Sequence, residues 1–222
     1  MPRVRDAQKG KVYIWEQHMV WDYDGNAQDV RRPVLHSAPN PMTIDQSKEL
    51  VERAVRWWWR TWLQNRVQMG QAVPSELHNC PSIPTVRDGG RRRSKAYYRP
   101  LGHMISLPEW ARYPEVILHE CAHCILNQHG YLGSCDGGHG AYFLRIYIQL
   151  LKKFMGMNSK LLTRSARASG IEVKSLAEIG RPARSTDMSD GSANPSRPAT
   201  RRRSRVGWYG ERIHSFDRFF TL

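Results

Sequence analysis

Residues 114–126 read Pro-Glu-Val-Ile-Leu-His-Glu-Cys-Ala-His-Cys-Ile-Leu, and few stretches of chain restrict a fold so strongly. Val116, Ile117, Leu118, Ile125 and Leu126 mark an apolar helix bound for a core, with Pro114 just inside its start, where a missing N–H costs nothing. Yet the same helix carries His119, Glu120 and His123. Two imidazoles and a carboxylate cannot leave water without partners. A shared metal ion resolves that conflict. At about 3.6 residues per turn His119 and His123 stand one above the other, so both rings reach one ion. Glu120 is rotated by one position and lies close without being a ligand, which is where a general base for attack by water belongs.

A hydrolytic zinc site takes three protein ligands and keeps one position for water, so a third ligand is expected downstream. The candidates are His129, Cys135, Asp136 and His139. His129 falls about one and a half turns past His123 and belongs to the end of the helix. His139 is preferred: it sits in Gly137-Gly138-His139-Gly140 and opens a second strongly apolar helix, Ala141 to Met155, so a glycine turn lets its ring swing onto the metal. Cys135 and Asp136 remain alternatives, either as ligand or as a hydrogen-bond partner of one. Cys121 and Cys124 form a C-x-x-C that overlaps the histidine motif and reads as buried structural cysteine. Cys80 reads as a loop residue.

The surroundings predict an α+β domain. From Thr43 or Asp45, either a good N-cap, to about Val67 the spacing of Leu50, Val51, Ala54, Val55, Trp58 and Trp62 is helical. Its tryptophans, Trp57 to Trp59 and Trp62, read as core rather than as a platform for stacking bases. Thr85 to Arg87, Ala96 to Tyr98 and Gly102 to Leu107 read as a small antiparallel or mixed sheet. Lys11 to Asp22 fits a strand or a short helix equally well. No run approaches the ~18 apolar residues of a membrane span, and the polar start of the chain has no apolar signal core. Four cysteines are too few for a disulfide scaffold in 222 residues, so a soluble cytoplasmic protein is expected.

The formal net charge is +14, and half of that excess lies beyond Met157. Residues 180–205, rich in Arg, Ser and Pro, read as a disordered linker that cannot bury enough apolar surface to fold. Residues 206–222 turn aromatic again, as a docking peptide or a piece that folds back. The runs Arg91 to Arg93 and Arg201 to Arg203 would suit phosphates, so DNA or RNA contact through the tail is an expectation beside the bland one of a solvated tail.

Taken together, Arg5-Asp6-Ala7-Gln8, Val12-Tyr13, Gly102-His103-Met104-Ile105-Ser106-Leu107-Pro108, His119-Glu120-x-x-His123 and His139-Gly140-x-x-Phe143 resemble a small family of HExxH metallohydrolases of actinobacteria and their phages. The resemblance runs from about Arg5 to Val173. More distantly the motifs resemble the SprT-like zinc proteases. That resemblance implies a zincin-like domain over residues 5–176, zinc at His119, His123 and His139, Glu120 as base, and a peptide or protein substrate pairing with the strand Gly102 to Leu107. Cys124, directly after the second histidine, departs from the pattern, and the basic tail lies outside it. The function expected is a zinc-dependent hydrolase, foremost a metallopeptidase, with Tyr142, Tyr147 or a basic side chain steadying the oxyanion. The rival is a nucleic-acid-binding or phage structural protein whose metal site is only a staple.

Overall fold

The computed structural model describes residues 8–21, 40–71, 81–90, 95–130 and 138–175. Cys80, Arg91 to Arg93, Cys135, Asp136 and both expected tail segments, 180–205 and 206–222, lie outside the described residues. Within them the chain is α+β, with five α-helices and a three-stranded sheet.

The ambiguous first segment is helical. Helix α1 spans Lys9–Glu16 and runs on into a π-helical turn, Gln17–Trp21. Val12, Trp15 and Glu16 share its buried face at i, i+3 and i+4. Trp15 Nε1 donates to Ser165 Oγ (2.9 Å), Lys11 Nζ to the Gly170 carbonyl (3.2 Å), and the Glu172 N–H to Gln8 Oε1 (2.6 Å). These bonds tie α1 to a segment 150 or more residues away in sequence.

Helix α2, Ile44–Gln68, starts at Thr43. Thr43 Oγ1 accepts from the Gln46 N–H and Gln46 Oε1 from the Thr43 N–H, a reciprocal capping box that settles the choice of cap. Leu50, Val51, Ala54, Val55, Trp58, Trp59 and Trp62 are buried, so these tryptophans are core. Trp57 is partly buried, edge-on to Phe154.

The sheet comprises β1 (Thr85–Asp88), β2 (Tyr97–Arg99) and β3 (Met104–Leu107), in the order β1-β3-β2. Strand β3 runs parallel to β1 and antiparallel to β2, with Ile105 opposite both Val86 and Tyr98. This corrects the expectation that Gly102 to Leu107 pairs with substrate. The turn after β2 folds it onto one side of β3 while β1 takes the other, so β3 has no edge left to offer; among the described residues β1 and β2 are the outer strands. Gly89 lets β1 close on β3: its N–H bonds the Leu107 carbonyl, and a Cβ there would fall 2.6 Å from the Pro108 nitrogen.

Helix α3, Pro114–Gln128, packs against α2, α4 and β2. Helix α4, Ala141–Met155, buries Phe143, Leu144, Ile146, Tyr147, Ile148, Leu150 and Leu151, and ends at Gly156 in the left-handed region (φ 67°). Helix α5, Ser159–Ala168, is capped by Asn158 and buries Leu162 and Ala166. Among the described residues no helix is long and apolar enough to cross a membrane.

Candidate metal centre

His119 and His123 project from one face of α3, and His139 from the turn that leads into α4. The structure brings these three together. His119 Nε2 lies 3.1 Å from His123 Nε2 and 3.3 Å from His139 Nε2, and ligand atoms of all three lie within 4.8 Å of one another. Ligands about 2.0–2.1 Å from a tetrahedral metal sit about 3.3–3.4 Å apart, so the nitrogens are spaced to share one ion. The chain therefore carries a buried three-histidine group able to hold a metal.

The tautomers agree with that use. His119 Nδ1 is 2.6 Å from Glu16 Oε1. A carboxylate there only accepts, so Nδ1 carries the proton and Nε2 turns its lone pair toward the other two rings. For His119, burial favours the neutral ring, but the charge and hydrogen bond of Glu16 outweigh it and hold its pKa above the usual value. For His123, burial and then His139 and His119 push the pKa well down, which keeps the ring neutral. Phe143 forms a common floor, its ring centroid 4.9, 4.4 and 5.0 Å from those of His119, His123 and His139. Residues 139 and 143 are one helical turn apart, so the H-G-x-x-F spacing places the phenyl ring beneath the site.

Glu120 is 6% exposed, and burial raises its carboxyl above the usual range, opposed by His119 and by a hydrogen bond from the Tyr98 backbone N–H. A raised carboxyl suits a base that must accept a proton near neutral pH. Tyr98 is itself braced. His103, at φ 45°, places Nε2 3.0 Å from the Ser82 carbonyl, which can only accept; the proton sits on Nε2, and Nδ1 accepts from the Tyr98 hydroxyl at 3.0 Å. Asn127 Nδ2 donates to the same hydroxyl.

Glu16 is the residue that the sequence reading missed. It is 1% exposed, and the Tyr147 hydroxyl faces it as well as the Glu115 carbonyl. The signal was an acid on the face that a helical reading of Val12, Trp15 and Val20 buries. Tyr13, one turn before, stacks on His119 (5.8 Å, 13°) and tilts against His139 (5.0 Å).

Other candidates fall elsewhere. His129 caps the end of α3 and accepts from Trp58 Nε1 (2.9 Å). Cys121 and Cys124 are free and buried, and Cys124 Sγ accepts from Gln128 Nε2. Tyr147 lies on the Glu16 side of His119, away from the converging nitrogens. Comparison with protein-family models, curated proteins and solved structures finds no match. The family resemblance thus stands on the motif residues alone, of which the structure assembles the histidines.

Proposed function

We propose that the chain is a zinc-dependent hydrolase acting on peptide bonds, with His119, His123 and His139 as ligands and Glu120 as general base. One observation carries this reading: a buried carboxylate, held by a backbone N–H from the sheet, stands next to three converging imidazoles. A structural zinc site closes with a fourth protein ligand; among the described residues the group consists of three imidazoles, an arrangement that leaves a position for chemistry.

Bound there, zinc supplies Lewis-acid activation of water and of the scissile carbonyl. Glu16 holds His119 in the ligating tautomer, and Phe143 keeps the three rings in place. Glu120 takes the proton of the attacking water and delivers it to the leaving amine nitrogen. Tyr13, half-buried and stacked on His119, stands beside the histidine group, whereas Tyr147 is fully buried.

The test is hydrolysis of a peptide library by the zinc-loaded full chain and by Glu120→Gln. General-base loss lowers the rate by about 10²–10⁴-fold with zinc content unchanged. A variant as fast as wild type, or a zinc-loaded wild type that cleaves no peptide bond, contradicts the reading.

A further inference from the structure

Helix α5 carries a feature that the metal centre does not use. Lys160, Thr163, Arg164 and Arg167 follow one another at i, i+3, i+4 and i+7, and with Ser159 and with Arg145 of α4 they line a cleft of about 440 Å³. Among the described residues the lining is four cations and two hydroxyls, without a carboxylate. Helix α5 contains no Asp or Glu at all. On α2, by contrast, Arg53 and Arg56 pair with Glu49 and Glu52. The acid that follows α5, Glu172, pairs with Lys174 at 2.9 Å.

The cationic face is fixed in direction. Leu162 and Ala166 are buried on the opposite side, and Ser165 accepts from Trp15, so the helix cannot roll. Arg145 Nε donates to the Lys174 carbonyl, which anchors its guanidinium beside the cleft. Like charges one turn apart repel, a cost that a polyanion lifts.

We infer that this cleft binds the phosphodiester backbone of a nucleic acid. From Lys160 to Arg167 the stripe runs about 10 Å at ~1.5 Å per residue, long enough to face more than one phosphate of the same strand. Lys160, Arg164 and Arg167 are exposed, which suits a polymer passing along an open groove better than a small enclosed phosphate. Ser159 and Thr163 supply hydroxyl donors for phosphate oxygens. None of the described lining residues is aromatic, so their contacts are indifferent to base sequence. The net charge of +14 adds long-range attraction.

The experiment measures anisotropy of labelled single-stranded and duplex DNA with the full chain over a series of salt concentrations. Lys160→Gln, Arg164→Gln and Arg167→Gln together are compared with Arg53→Gln, Arg56→Gln and Arg60→Gln, which remove equal charge from α2. The α5 variant should bind at least about tenfold more weakly at low salt, with the salt slope reduced by about 2–3, while the α2 variant stays near wild type. Thr163→Glu, a single carboxylate in the cleft, should weaken binding in the same direction, and melting curves confirm that each variant is folded. Equal losses in both triple variants overturn the inference. So does displacement by inorganic phosphate or by polyglutamate as effective as that by unlabelled DNA at matched charge. The readout needs no catalysis, so its failure leaves the hydrolase reading untouched.

Discussion

At His119 the two ring nitrogens face different worlds, Nδ1 toward Glu16 and Nε2 toward His123 and His139. A carboxylate behind a ligating imidazole fixes its tautomer and raises its basicity, and removing such a partner typically costs about 10–100-fold in metal affinity. Glu16→Gln keeps the shape and an acceptor oxygen but loses the charge. Competition with a chromophoric chelator should show zinc affinity lowered within that range; unchanged affinity would mean that Glu16 only fills space. His119, Glu120 and His123 were legible because their spacing is local to one helix, and His139 because glycines flank it at the head of another. Glu16 was not, since its partner lies 103 residues away and its own segment was too short to reveal a period.

Helix α3 serves two clusters, the histidine group along its length and an aromatic one at its end. There His129 stacks on Trp59 (4.5 Å) and accepts from Trp58. Burial, with Arg66 nearby, pulls the His129 pKa down to about 3. The unfolded chain therefore binds a proton that the folded one refuses between roughly pH 6.5 and 3, and stability falls as pH drops through that window. From pH 7 to 5 this one ring should cost about 2 kcal/mol. Urea unfolding of wild type against His129→Gln at both pH values measures it: the variant should lose less stability on acidification, and identical pH dependence would contradict the assignment. Helices α2, α3 and α4 were readable from periodicity and caps over long apolar faces. Helix α5 is amphipathic, but it is short and buries only Leu162 and Ala166, too small an apolar face to stand out, and strands of three or four residues do not encode their order, which long-range pairing decides.

Across the whole molecule, the metal group joins α3 to the start of α4, and Glu16 adds α1, which is in turn tied to α5. A ligand that binds only this assembled arrangement stabilises it by mass action. Free zinc at 100 times its dissociation constant should add about 2.7 kcal/mol to the unfolding free energy, and a chelator should remove it. Denaturation with and without chelator checks this; no shift would mean that no metal is bound by the fold. The central claim is the identity of the third ligand, and it is tested most directly by zinc stoichiometry after dialysis for wild type and His139→Ala. One tightly held zinc per chain in wild type, lost in His139→Ala, is the predicted result. Wild type without zinc, or a variant that holds it equally well, would contradict the account.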